Sequence, residues 1–341
     1  MTTNPSLPGT HHREEQILLE WHAQIGNSEK QLWGLIHSKG LLDSDAQELY
    51  RKVRSSYEKK ILDSHTHPEL QHAEYCLWKL HYRYIDEFCR RIKKFSYNAE
   101  NDKLGIAQGG VSQMNNDNYI KAFKSFLSEA SEFYQTLMVK LRKRYGVSEV
   151  ALFYKKDWTS TTFDSETILK CQNLCHRFLV CMGDLERYKQ QYANLEIQNK
   201  DWSVASRHYV EATRIWPDSG NPQNQLAVLA TYIGDDFLAV YYCVRSLAVK
   251  EPFPDAWDNL IFLLEKNRSC NLQCVSTKVS FDLFKPSVRS DQETRLQEPN
   301  DDSSYYSKLE GENNHFKDTK LWSLIVGTIS FLFITSRYLD A

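Results

Sequence analysis

Between Arg13 and Leu42 the apolar residues Ile17, Leu18, Trp21, Ile25, Leu32, Trp33 and Ile36 recur at helical spacing, with a gap at Gly26 and Asn27. The pattern predicts a helix interrupted at that gap. Asp43, a good N-cap, opens a second predicted helix that runs to Leu62. After Pro68 the stripe is clearest: Leu70, Ala73, Leu77, Leu80, Tyr84, Phe88, Ile92 and Phe95 fall three or four apart. One face is therefore apolar for about seven turns, and the other faces are basic. The glycines and amides of "NDKLGIAQGGVSQMNND", residues 101 to 117, predict a connecting loop. A further helix is expected from Asn118 to Tyr145, ending in "KLRKRYG" with cations at its C-terminal dipole and Gly146 as the stop. An irregular connector to Thr162 follows. Asp164–Cys181 and Asp184–Asn199 then read as two helices meeting at Gly183, or as one kinked helix.

From Trp202 the pattern repeats. Tetratricopeptide units are helical hairpins of about 34 residues whose small, aromatic, small and proline positions recur at fixed offsets. Ala205, Tyr209, Ala212 and Pro217 meet that spacing, and Ala239, Cys243, Ser246 and Glu251 (beside Pro252) follow 34 residues later. Small residues let paired helices approach, and the aromatic fills the groove between them. Beyond Ser269 the chain becomes polar and poor in aliphatics, as in "SVRSDQETRLQEPNDDSSYYSKLEGENN", and is expected to be disordered. The final apolar run "LWSLIVGTISFLFITS" has 16 residues. That is short of the ~20 a spanning helix uses, so a core helix is expected there, with a membrane tail anchor as the alternative. The expected organisation is a flexible start (1–12), a helical domain (13–200), helical hairpins (201–268), a disordered linker (269–319) and an apolar terminal helix (320–341).

Composition supports this all-α class. Only 13 Gly and 9 Pro in 341 residues leave few turns, and 13% aromatic content supplies a large core. With 42 Lys+Arg against 44 Asp+Glu the net charge is -2, so any anion site is local rather than a property of the whole surface. The N-terminal stretch lacks the basic and apolar regions of a secretory signal, which predicts a reducing compartment and free thiols for the eight cysteines. Cys171, Cys175 and His176, like Cys270 and Cys274, lack the short-knuckle framework of a zinc site, and no metal or cofactor is expected. No P-loop, G-x-G-x-x-G, G-x-S-x-G or H-E-x-x-H pattern occurs, so an enzyme is not expected.

The remaining candidate chemistry is cationic. His72, Lys79 and Arg83 lie seven and four residues apart, within about 40° of one another on a helical wheel, and point into one groove or form an ordinary solvated face. In "CMGDLERYKQQYA", Arg187 sits beside the apolar stripe traced by Phe178, Met182, Leu185, Tyr192 and Leu195, with Tyr188 at its edge. A guanidinium presents a planar fork of donors to phosphate and a tyrosine hydroxyl can donate to another oxygen. The plainer alternative is a surface arginine over a core tyrosine.

"MGDLERY" resembles the 14-3-3 segment in which a Gly-Asp turn precedes the Arg-Tyr phosphate clamp, and "NPQNQLAVLATYIGD" resembles the later 14-3-3 helix whose asparagine holds the peptide backbone. More specifically, "IWPDSGNPQNQLAVLA" and "LWKLHYRYIDEF", within a likeness over residues 10 to 270, resemble the ever-shorter-telomeres family in its branch of SMG-type nonsense-mediated mRNA decay adaptors, the plant SMG-seven-like members in particular. The resemblance implies 14-3-3-like antiparallel helices followed by tetratricopeptide-like hairpins. It also implies a phosphopeptide reader that docks on a phosphorylated RNA helicase and on other decay adaptors. Lys79, Arg187 and Tyr188 would hold the phosphate and Asn224 the peptide backbone. His72 stands where 14-3-3 proteins carry a second cation, and Arg83 is the alternative source of that charge. The family continues well beyond this length, so a shortened form without an effector tail is expected. The expected location is the cytoplasm, with shuttling to the nucleus. The competing expectation is a telomere- or RNA-associated scaffold that binds nucleic acid through Arg90, Arg91, Lys93, Lys94 and the Lys140–Arg144 cluster.

Overall fold

The structure is a computed structural model, which describes residues 8–63, 67–102, 109–153, 165–193 and 200–275. The described residues form two compact units that divide between Trp216 and Pro217. All named elements are helices, as composition and periodicity lead one to expect. In the first unit these are α1 (Pro8–Ser38), α2 (Ser44–Asp63), α3 (His67–Asp102), α4 (Gly109–Tyr145), α5 (Glu149–Phe153), α6 (Ser165–Ala193) and α7 (Ser203–Ile215). The second contains α8 (Asn221–Ile233), α9 (Asp236–Leu247) and α10 (Ala256–Val275).

In the first unit the long helices pack in chain order, α1 on α2, α2 on α3, α3 on α4, α4 on α6 and α6 on α7. The predicted N-cap is in place: Asp43 Oδ1 accepts from the backbone N–H of Asp45 at 3.0 Å and of Ala46 at 3.2 Å. Gly146 ends α4 as expected, with a left-handed φ of 65° that L-residues avoid. Ala73, Leu77, Leu80, Tyr84, Phe88 and Ile92 are all buried, so the stripe on α3 is the core stripe. Rings fill much of this core: Tyr84 stacks on Phe126 and Phe88 on Phe123, and Tyr134 and Phe178 are fully buried beside each other.

Two expected boundaries are corrected. α1 runs unbroken through Gly26 and Asn27, because one interior glycine costs a helix only about 1 kcal/mol and buried Ile25, Leu32 and Ile36 repay more than that. The expected loop at 101–117 is mostly helix. α3 extends to Asp102 and α4 begins at Gly109, with only 103–108 between them outside the described residues. Of the two readings offered for 164–199, one helix running through Gly183 is the one present, α6. A short α5 lies in the expected connector, whose residues 154–164 are outside the described set.

The 34-residue period is a burial pattern. Ala205, Tyr209 and Ala212 on α7, and Ala239, Cys243 and Ser246 on α9, are each at most 1% exposed. α7 packs along α6 in the first unit, and in the second α9 packs against both α8 and α10. Ser246 Oγ donates to the Gly220 carbonyl at 2.7 Å, and a one-residue parallel bridge joins Ser219 to Glu251. A Cβ on Gly220 would lie 2.3 Å from the Ser246 carbonyl, so the "SGNP" turn closes against the end of α9 only with glycine there.

Residues 8–12 belong to α1, and residues 1–7 lie outside the described residues. α10 continues past Ser269 to Val275; most of the expected linker and the apolar run 321–336 fall outside the described set. Among the described residues no helix is long and apolar enough to cross a membrane.

Candidate functional site

One ion pair and two further side-chain interactions set the register of α3 against α6. Glu74 binds Arg177 at 2.6 Å, the Tyr82 hydroxyl lies near enough to Tyr188 to act on it, and Cys89 faces the Tyr192 hydroxyl. The paired residues are offset by 103, 106 and 103 positions, so the two helices run side by side in the same direction. That register sets Arg83 level with Arg187 and Lys79 one turn earlier, level with Gly183.

On α3 the face holding His72, Lys79 and Arg83 is exposed, with Tyr75 and Tyr82 on the same side. Lys79 has no ion pair or hydrogen bond among the described residues. The Arg83 guanidinium lies 4.0 Å from the centre of the Trp33 ring of α1, a cation–π contact that leaves its charge unneutralised. His72 faces α1 as well, its ring 4.8 Å from that of His22 and its Nε2 3.5 Å from the Cys76 sulfur. α3 therefore offers two unneutralised cations, Lys79 and Arg83.

α6 offers a partly satisfied one. The Arg187 side chain is 13% exposed and its Nη2 donates to Asp184 Oδ1 at 3.0 Å. Its Nε lies 3.4 Å from the Tyr209 hydroxyl of α7, which itself donates to the same Asp184 oxygen at 2.7 Å. The guanidinium also lies 4.8 Å from the centre of the Tyr188 ring. Burial pushes the Asp184 carboxyl above the usual carboxylate range, while Arg187 and Tyr209 pull it back. Burial opposes the Arg187 charge too, but Asp184, Tyr209 and Tyr188 together outweigh it and raise the guanidinium further. Both partners thus shift upward. The acid's shift is the informative one, since an arginine keeps its proton at any pH the protein meets. Tyr188 is half-buried, and burial pushes its hydroxyl up to about 12. It stays a neutral donor at physiological pH.

Lys79, Arg83, Arg187 and Tyr188 accordingly stand on adjacent parallel helices at matching levels. Asn224 belongs to the second unit, where it is 3% exposed and its Oδ1 accepts from Asn259 Nδ2 at 3.0 Å. Sequence reasoning missed Asp184 and Tyr209 as partners of Arg187. The i, i+3 spacing of Asp184 and Arg187 was the available signal, being the separation at which opposite charges meet on a helix. The Tyr209 contact arises from α6–α7 packing and left no local trace.

The basic clusters expected to hold nucleic acid are largely paired. Arg90 binds Asp86 and Glu87, Arg91 binds Glu87, Lys140 binds Glu58, Arg142 binds Glu149 and Arg144 approaches Asp63. Among the described residues no cluster of His, Cys, Asp and Glu could hold a metal ion. Cys171 and Cys175 are buried thiols 4.0 Å apart.

An all-helical interaction module with a cationic helix pair is the class these features define. Residues 72–193 match the family model described as telomerase activating protein Est1, and residues 205–340 match the one described as Est1 DNA/RNA binding domain. Both matched regions are Est1-family domains, and the chain is similar to SMG7-type decay factors. It is 44% identical over 315 residues to the nonsense-mediated mRNA decay factor SMG7-like of Arabidopsis thaliana, covering 92% of this chain and 31% of that protein. The decay factor SMG7 of the same plant is 37% identical over 230 residues, 64% of this chain and 21% of that one. The chain therefore spans less than a third of the length of either relative. A solved structure of Est1 and Cdc13 aligns at a TM-score of 0.49 and 18% identity over 75% of this chain and 49% of that one.

Proposed function

We propose that this chain is a phosphopeptide-binding adaptor of nonsense-mediated mRNA decay. Lys79 and Arg187, with Tyr188 and Arg83 beside them, receive a phosphoserine or phosphothreonine, and the partner is the phosphorylated RNA helicase of the decay pathway. The observation that carries this reading is the exposed, unpaired ammonium of Lys79, held on α3 one turn from the level of Arg187 on α6. A dianionic phosphate placed there gains charge-assisted hydrogen bonds from Lys79, which has no ion pair among the described residues, and from the edge of Arg187 that Asp184 and Tyr209 leave open. The SMG7-like relatives, both decay factors by name, support the pathway. Fluorescence titration of matched phosphorylated and unmodified peptides tests the reading. Tighter binding of the phosphorylated form, lost in Arg187→Glu, is expected; equal affinities, or no loss in the variant, would refute it.

A second reading, binding of RNA or telomeric DNA, is favoured by the family description covering residues 205–340. The ion pairing of Arg90, Arg91, Lys140, Arg142 and Arg144 speaks against it for the first unit. A steep fall in affinity for single strands with added salt, indifferent to peptide phosphorylation, would favour it.

A further inference from the structure

Arg187 presents two usable edges. Its Nε and one Nη2 hydrogen form the side edge, and Nη1 with the other Nη2 hydrogen forms the end edge. The side edge is taken, Nε by the Tyr209 hydroxyl and Nη2 by Asp184. The Tyr209 hydroxyl closes the triangle by donating to Asp184. All three groups are largely buried: Tyr209 is 0% exposed, Asp184 8% and the Arg187 side chain 13%. A guanidinium bonded along one edge has lost its freedom to rotate about its terminal torsions. Its end edge therefore has one direction, and that edge is the one left for an anion.

We propose that Tyr209 on α7 is the positioning residue for Arg187, so that phosphate recognition on α3 and α6 depends on the docking of α7. "GDLERY" is then a coupling motif in which Gly183, Asp184, Arg187 and Tyr188 each have a part. Gly183 lets the Tyr209 ring lie against α6, since a Cβ there would be 2.4 Å from its Cε1 and 2.8 Å from its Cζ. Asp184 accepts from both Tyr209 and Arg187, and Tyr188 lies under the guanidinium. Asp184 serves orientation at the expense of charge: it neutralises most of Arg187's net attraction for distant anions, so the site recognises phosphate by geometry at Arg187 and by charge at Lys79 and Arg83. The functional consequence rests on the phosphopeptide reading; the positioning itself does not.

Two measurements on the full chain separate those claims. The first is the Nε–H resonance of Arg187 in 15N-labelled protein, without any ligand. It is expected to be protected from solvent exchange in the wild type and to exchange freely in Tyr209→Phe. Unchanged protection would overturn the positioning role, whatever the chain binds. The second is a double-mutant cycle in which Tyr209→Phe and Arg187→Lys are made singly and together. Each is titrated with fluorescein-labelled nonapeptides bearing a fixed central phosphoserine in otherwise randomised positions, and with their unphosphorylated counterparts. Tyr209→Phe should weaken phosphopeptide binding about five- to tenfold, the effect of losing one hydrogen bond to a charged group, and should have no further effect once Arg187 is lysine. An equal loss in both backgrounds would mean that Tyr209 only supports the fold, which overturns the proposal. Protected exchange in the wild type, lost in Tyr209→Phe, together with equal wild-type affinity for the two peptide sets would uphold the positioning and sink the phosphopeptide reading instead.

Discussion

Gly183→Ala is a substitution whose sign helix propensity and packing predict oppositely. Gly183 lies inside the 29-residue α6, where replacing glycine with alanine ordinarily stabilises by about 1 kcal/mol. Here the added Cβ would sit 2.4, 2.7 and 2.8 Å from three carbons of the Tyr209 ring, against the roughly 3.5–4.0 Å of ordinary carbon contact. The ring must withdraw by on the order of 1 Å. It is fully buried, and its hydroxyl is held by Asp184 at 2.7 Å, so withdrawal also lengthens that bond. Overpacking costs about 1–3 kcal/mol and the weakened hydrogen bond about 1. Set against the gain of about 1 kcal/mol, the net expectation is a loss of about 1–3 kcal/mol. Gly26 in α1 is the control, because a Cβ there meets nothing within 4 Å. Gly26→Ala should stabilise by about 0.5–1 kcal/mol. Urea unfolding of both variants beside the wild type decides the matter through the shift in midpoint. A Gly183→Ala protein as stable as the wild type, or more so, would refute the close approach of α7 to α6.

Acid should weaken the first unit, because burial drives the pKa of His81 down to about 3 and that of His176 to about 4. Between the unfolded value near 6.5 and those folded values the unfolded chain holds more protons. The stability is then present above pH ~6.5 and falls by ~1.4 kcal/mol per residue for each pH unit below it. Glu74 and Asp184, raised in the fold, act in the opposite sense as they begin to titrate. Urea midpoints from pH 8 to 5 should decline and the decline should flatten in His81→Phe; a level wild-type profile would contradict this. Arg177→Ala strands the buried Glu74 carboxylate, and thermal melts should show a loss of about 3 kcal/mol at pH 7 that shrinks by pH 5 as Glu74 takes up a proton. Lys79→Ala should leave stability within about 0.5 kcal/mol yet lower phosphoserine-peptide affinity about tenfold in calorimetry, since the residue is exposed and has no ion pair or hydrogen bond to lose among the described residues.

The periodic signals were legible where burial alone set them. The stripe on α3, the Asp43 cap, the Gly146 stop and the small and aromatic positions of α7 and α9 could all be assigned from spacing, and all occupy the expected environments. Helix interruptions were not legible. A glycine in isolation marks a weak point, whereas Gly26 is carried by its buried neighbours and Gly183 by the Tyr209 ring that occupies its missing side chain. Lys79, Arg83, Arg187 and Tyr188 were nominated from residue type and resemblance, and their matching levels follow from the parallel packing of α3 and α6. The hydrogen bonding of the pair at 184 and 187 involves a hydroxyl 22 residues away from Arg187 and could not be read from local sequence. Asn224, nominated by resemblance alone, already has its carboxamide oxygen engaged by Asn259.

The central claim is that one phosphate is held jointly by α3 and α6. The measurement that tests it most directly is a crystal structure of the chain with a phosphoserine peptide. The account predicts phosphate oxygens within about 3 Å of both Lys79 Nζ and the end edge of Arg187, with Tyr209 and Asp184 still on the other edge. A phosphate that sits elsewhere, or that touches Lys79 while Arg187 remains turned away, would contradict it.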